Sequence, residues 1–172
     1  MTITVRPAVP EDIPTILRFI RELAAYEREP DAVVATEAGL LRDGWQEPVR
    51  FKSLIAEYEG EPVGFALYFW TYSTWVGHHG IRLEDLYVTP AMRKRGIGKA
   101  LLQRLAQIAV DEGCTRLEWD VLDWNTPAIA VYERLGAKIM TEWRIMRLSD
   151  DALKALAESS STTTANVSQT VS

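Results

Sequence analysis

Cysteine is almost missing from the chain: Cys114 is the only one in 172 residues. That excludes an internal disulfide framework and sets the expectation that no thiolate metal site forms within one chain. Histidine is nearly as scarce, with His78 and His79 side by side. Such a pair suits a loop better than a metal site or a nucleophile–base pair, so no metal is expected. Positive charge is also short: 19 Lys and Arg against 24 Asp and Glu give a formal net charge of −5. This balance argues against non-specific nucleic-acid binding and mildly favours cationic partners. No apolar run is long enough to cross a bilayer, and MTITVRPA lacks the apolar core of a signal peptide. A cytoplasmic setting without a membrane partner is the expectation. No internal repeat is evident.

What is present suffices for a core. Hydrophobic residues make up 47% of the chain and are spread along it, as in a soluble globular domain. ITVRP reads as a short alternating strand. A helix follows with Ile13, Ile16, Leu17, Ile20, Leu23 and Ala24 on one face, and Pro10, Glu11 and Asp12 suit its first turn. TEAGLLRDG predicts a second, short helix ending at Gly44. FKSLIAEYEGEPVGFALYFWTY predicts two strands around a Glu-Gly turn. GHHGIRLEDLYVTP is expected to be a loop leading into a further strand stopped by Pro90. From Gly96 the period changes, and Ile97, Leu101, Leu105, Ile108 and Ala109 predict a helix ending near Gly113. RLEWDVL alternates again, so 86–121 predicts two parallel strands joined by a right-handed crossover. NTPAIAVYERLGA predicts a helix closed by Gly136, and KIM and WRIMRL predict late strands. The expected fold class is α/β: a mixed, mostly antiparallel twisted sheet with one parallel pair, flanked by helices. One domain is expected over 1–158. The segment 159–172, rich in Ser and Thr, has little to bury and is expected to be a disordered tail.

The positive charge that exists is concentrated. Four of the 19 basic residues lie in Arg93-Lys94-Arg95-Gly96-Ile97-Gly98-Lys99, where a strand gives way to a helix. First-turn N–H groups of a helix have no intrahelical partner and carry the positive end of its dipole. Glycines let a bulky anion approach them, and basic side chains add charge, so a phosphate or pyrophosphate is the natural occupant. Two known phosphate loops do not fit. A P-loop requires Gly at 93 and Ser or Thr at 100, where this chain has Arg93 and Ala100; a dinucleotide fingerprint requires Gly at 101, where it has Leu101. A solvated basic helix start with a glycine turn is the plainer alternative.

The R-x-x-G-x-G pattern after LEDLYVTP resembles the acetyl-CoA pyrophosphate loop of the GCN5-related N-acetyltransferases. NTPAIAVYERLGA is similar to a later motif of that family, an Asn-started helix carrying a Tyr. RELAAYE, TYSTW, YVTP and VLDWN extend the resemblance over roughly residues 3–148 to the diamine, or spermidine/spermine-type, group. TYSTW and VLDWN are most similar to its thialysine branch. The resemblance implies that family's fold, acetyl-CoA as co-substrate, a small-molecule amine as acceptor, and a homodimer.

It also implies roles. An alkyl amine has a pKa near 10 and arrives protonated, and carboxylates can hold the cation and accept its proton. By resemblance Glu84 is the base acting through water, and Asp85 shapes the amine site. Neighbouring strand side chains point to opposite faces, so the two should differ in task. Leu86, Tyr87 and Val88 would offer backbone to the cofactor arm, with a bulge in the strand freeing an N–H. Arg93, Lys94, Arg95, Gly96, Ile97, Gly98 and Lys99 would hold the pyrophosphate, and Asn125 and Pro127 would contact the cofactor. Tyr132 is the implied general acid, a phenol that keeps its proton at neutral pH. Ile129 and Leu135 belong to the core face of its helix, and packing there is the plainer reading of Tyr132. Capping alone would also explain Asn125. Tyr26, Glu27 and Trp75 match positions of the amine pocket, while a helix end and a buried aromatic are their plainer readings. Ser73 stands where the polyamine branch carries an acidic residue, and Lys94 where many relatives have Gly. A protein acetyltransferase and a non-catalytic acetyl-CoA-binding module are the competing functions.

Overall fold

The computed structural model describes residues 2–159. The chain forms two compact units, the first ending at Leu122 and the second beginning at Asp123. The first unit holds β1 (Ile3–Pro7), α1 (Ile13–Tyr26), α2 (Glu37–Trp45), β2 (Lys52–Tyr58), β3 (Glu61–Ser73), β4 (His78–Val88), α3 (Ile97–Asp111) and β5 (Leu117–Glu118). The sheet order is β1-β2-β3-β4-β5. The first three pairings are antiparallel, and β4 and β5 are parallel through Ile81↔Leu117 and Arg82↔Glu118. The mixed sheet expected from the sequence is present.

Local chemistry accounts for the elements. Glu59 and Gly60 turn the β2–β3 hairpin with φ of 54° and 87°, the positive pair that matches strand twist. Thr36 caps α2 by accepting from the Gly39 N–H at 3.1 Å. Strand alternation then sorts the sheet onto two faces. Ile55, Phe65, Leu67 and Tyr87 pack with Ile13, Ile16, Leu17 and Phe19 of α1. Phe19, which the expected apolar face of α1 omits, is fully buried, with its ring 5.8 Å from Phe65 and 5.7 Å from Tyr87. Leu54, Ala66, Ile81 and Leu83 take the opposite parity, on the side where α3 buries Ile97, Leu101, Leu105 and Ala109.

Several sequence expectations change. The histidine pair is not in a loop: β4 begins at His78, because β3 runs on to Ser73 and the hairpin closes over 74–77. RLEWDVL gives only the two-residue β5. KIM and WRIMRL form no strand among the described residues, since alternation supplies a pattern but not a partner ladder. In the second unit the ordered elements are α4 (Thr126–Arg134) and α5 (Asp150–Ser159), a helix the sequence reading lacks. Ser159 therefore ends a helix, and the rest of the expected tail, 160–172, lies outside the described residues.

One ion network ties the start of the chain to the sheet. Arg6 donates to both carboxylate oxygens of Asp12 at 2.7 and 2.9 Å and, through Nε, to Glu57 at 2.7 Å. Asp12 also accepts from the Val9 N–H at 2.8 Å, fixing the entry to α1. The Arg6 hydrogen bond holds the Asp12 carboxyl below its ordinary range, against the opposing effect of burial. A depressed carboxyl stabilises above its unfolded pKa and loses that contribution as pH falls through the folded value. Asp12→Asn is expected to cost roughly 1.5–3 kcal/mol at neutral pH. In urea titrations the gap to wild type should close as pH drops below about 4.

Candidate functional site

The β3–β4 register carries the first feature. Leu67 faces Asp85 and Tyr68 faces Leu83, so Glu84 has no partner and is the extra residue of a bulge. Glu84 is exposed, and Asp85 is half-buried on the α1 face of the sheet. Burial, then Glu84, then Glu27 push the Asp85 carboxyl up to about 6. Burial also raises Glu27, the residue after α1. The charge effects on Asp85 place Glu84 and Glu27 near it, a cluster assembled from a helix end and a strand bulge. Its chemistry suits a cation: carboxylates held close repel one another, and an ammonium relieves that repulsion.

Beyond β4 comes the glycine loop. Gly96 is the N-cap of α3 with φ of 86° and no side-chain cap, so the first N–H groups of the helix are left for an outside acceptor. A Cβ on Gly98 would meet only Val88 Cγ2, at 3.8 Å, so packing does not demand glycine there. Lys94 takes φ of 62°, the left-handed conformation in which a glycine would be unstrained. Lys94, Arg95 and Lys99 are exposed, while Ile97 is core and offers only its backbone.

Arg93 differs from the other basic residues of the loop. Its Nε donates to the Val88 carbonyl at 3.0 Å, and its guanidinium lies 4.6 Å from the Tyr26 ring centroid and 5.8 Å from that of Tyr87. It therefore joins the end of α1 to the loop, placing Tyr26 and Glu27 beside the start of the cradle. Tyr87 is buried, and its hydroxyl donates to Glu22 at 2.8 Å, with burial first and Glu22 next raising it to about 12. Only its backbone, with that of the half-buried Leu86 and Val88, is left to face a ligand.

Trp75 and Ser73 stand elsewhere. Trp75 is 88% exposed in the β3–β4 turn, and Ser73 is buried, its Oγ accepting from the Val76 N–H at 3.4 Å. Ser73 pairs with His78 at one end of the hairpin and Asp85 with Leu67 towards the other, roughly 20 Å apart along the strand. Within one chain, Ser73 does not address the acidic cluster.

In the second unit, Asn125 is the N-cap of α4 but makes no side-chain cap bond, and Pro127 occupies its first turn. The Asn125 carbonyl accepts from Ala128 and Ile129 at 3.0 and 3.1 Å. Tyr132 is half-buried and its carbonyl accepts from Ala137 at 3.1 Å. Leu135 is not core: it is 44% exposed, because α4 ends at Arg134 and Gly136 turns the chain away with φ of 94°.

The model of the "Acetyltransferase (GNAT) family" matches residues 17–137. A thialysine N-epsilon-acetyltransferase of Sus scrofa is 41% identical over 167 residues, covering 91% of this chain and 98% of the relative. An L-ornithine N5-acetyltransferase of Arabidopsis thaliana is 31% identical, covering 88% and 86% respectively. Among solved structures, an integron cassette protein from the mobile metagenome of V. cholerae superposes with a TM-score of 0.77 at 25% identity, covering 92% and 99%.

The raised Asp85 gives a stability prediction with a defined sign. The folded protein binds a proton more tightly than the unfolded chain, so ionising Asp85 destabilises it as pH rises through about 6. Asp85→Asn should stabilise the fold above neutral pH by up to about 3 kcal/mol, following from a folded pKa of about 6. Below about pH 4 the two proteins should unfold alike, as read from thermal melts across the pH range.

Proposed function

The chain belongs to the acetyltransferase (GNAT) family, and from that premise we propose that its acceptor is the primary amine of a small molecule, of the thialysine, diamine or polyamine kind. It is an N-acetyltransferase with acetyl-CoA as co-substrate. The observation that carries the acceptor proposal is the carboxylate cluster of Glu27, Glu84 and Asp85 at the β4 bulge. The relatives named for thialysine and ornithine acetylation act on amines borne by amino acids, which supports the same reading.

The residues fit the co-substrate. When bound, acetyl-CoA supplies the acetyl group as a thioester. The unfilled space at Gly98, the uncapped N–H groups of α3 and the exposed charges of Lys94, Arg95 and Lys99 suit its pyrophosphate. Asn125, Pro127 and the backbone of Leu86, Tyr87 and Val88 are the proposed further contacts. The amine arrives as a cation, since its pKa is near 10. Asp85 and Glu27 hold that cation, with Tyr26 beside them. Glu84, exposed at the bulge, accepts its proton through water. Tyr132 Oη gives a proton to the departing sulfur. Trp75 belongs to this scheme only where the amine reaches the hairpin turn. The homodimer rests on resemblance and the cytoplasmic setting is the default reading of the sequence; no helix among the described residues is long and apolar enough to cross a membrane.

Three measurements test the scheme. Steady-state kcat/KM across thialysine, ornithine, lysine, short diamines, spermidine and a lysine peptide should favour the short amines, and a preference for the peptide would overturn the small-molecule reading. Tyr132→Phe should lower kcat by roughly 10²–10⁴-fold with acetyl-CoA affinity retained; full activity would return Tyr132 to packing. Arg95→Glu with Lys99→Glu should weaken acetyl-CoA binding in calorimetry, and more steeply at low salt, where unscreened phosphate contacts weigh most.

A further inference from the structure

We propose that His79, Glu112 and Cys114 form a site for a borderline divalent cation of the Zn2+ class, where β4 begins and α3 ends. One ligand atom from each residue, an imidazole nitrogen, a carboxylate oxygen and the thiol sulfur, lies within 4.8 Å of the others. Ligand atoms around tetrahedral Zn2+ stand roughly 3.3–3.8 Å apart, given bond lengths of about 2.0–2.3 Å. Side-chain movements of about 1 Å close the set. The donor mixture suits Zn2+, with Co2+ as its spectroscopic substitute, over the oxygen-seeking Mg2+ and Ca2+.

The fold builds the cluster from distant parts. His79 faces Tyr72 in the β3–β4 ladder, the parity that also turns Trp70 towards α3. Glu112 is the C-cap of α3, and Gly113, with φ of 70°, turns the chain so that the Cys114 N–H bonds back to Ala109 at 2.7 Å. Two independent features point to an occupant. The Trp70 indole N–H donates to Glu112 Oε2 at 2.6 Å, the kind of outer hydrogen bond that orients a ligating carboxylate. His78, stacked on His79 with centroids 4.6 Å apart, has a buried Nδ1 without a hydrogen-bond partner. A metal-bound water beside His79 would supply one, and three protein ligands leave a coordination position for that water.

The charges also balance. Binding replaces the Cys114 S–H bond with an S–metal bond and releases the proton to solvent. Thiolate and Glu112 carboxylate then neutralise the divalent ion. This departs from the expectation drawn from a single cysteine: one thiolate cannot make an all-cysteine site, but it can complete a mixed one. The site lies at the opposite end of α3 from the glycine loop.

The test is titration of metal-stripped full-length protein with Co2+, followed by absorption. The expected result is one Co2+ per chain, a near-ultraviolet thiolate-to-cobalt band, visible bands of a four-coordinate ion, and displacement by Zn2+. Cys114→Ser should lose the near-ultraviolet band, His79→Gln should weaken binding at least tenfold, and Trp70→Phe should weaken it about 10–100-fold with the band kept. A wild type without the band, one ion shared by two chains, or a His79→Gln protein that titrates like wild type would each overturn the proposal. Should Cys114→Ser fail to fold, His79→Gln decides the matter.

Discussion

The unpaired Glu84 in the β3–β4 ladder is the constraint on which the site depends. A strand without a bulge would send residues 81, 83, 85 and 87 to one face. Skipping Glu84 in the register leaves Ile81 and Leu83 with α3 and moves Asp85 and Tyr87 to the side of α1. The apolar layers on both faces depend on that switch, since Tyr87 packs with Phe19 while Leu83 is buried on the other side. The chemistry depends on it too. Asp85 continues the buried α1 layer, and desolvation there raises its carboxyl. A bulge costs a ladder pairing, and here the unpaired position carries an exposed carboxylate instead of a buried apolar group.

Arg93 turns that arrangement into a junction. Held by the Val88 carbonyl and laid over Tyr26, it brings the end of α1 to the start of the glycine loop. The cluster proposed for a cation and the N–H cradle proposed for an anion thus lie at either side of a short stretch of β4. Opposite charge requirements are met by keeping them on separate elements: acids on the bulge and the α1 end, bases on the loop. Lys94 in a left-handed conformation shows the loop shape being kept without the glycine that would adopt it freely.

Helix α3 organises the other face. Its N-terminus is uncapped by any side chain, and its C-terminus is closed by the Gly113 turn that delivers Cys114 beside His79 and Glu112. The helix is therefore anchored by apolar contacts in its middle and polar at both ends. The amphipathic pattern of Leu101, Leu105 and Ala109 expresses only the first of these.

The sequence by itself determined the elements whose signals are local. Helix periodicity placed α1 and α3, the Glu-Gly turn placed the β2–β3 hairpin, TEAGLLRDG placed α2 although the helix runs one residue past Gly44 to Trp45, and the glycine loop marked a candidate anion cradle. The family resemblance was also legible, because its motifs are short and ordered along the chain. Tertiary structure alone decided whatever depends on a partner distant in sequence. KIM and WRIMRL alternate as strands do, yet a strand exists only through a ladder. Ser73 sits in the right motif, yet hairpin geometry carries it away from Asp85. His79 reads in sequence as a loop residue and Cys114 as a solitary thiol; the β4–α3–β5 crossover brings them together with Glu112. Burial works the same way: desolvation of Asp85 is set by the packing around it, and no local pattern of residues records that.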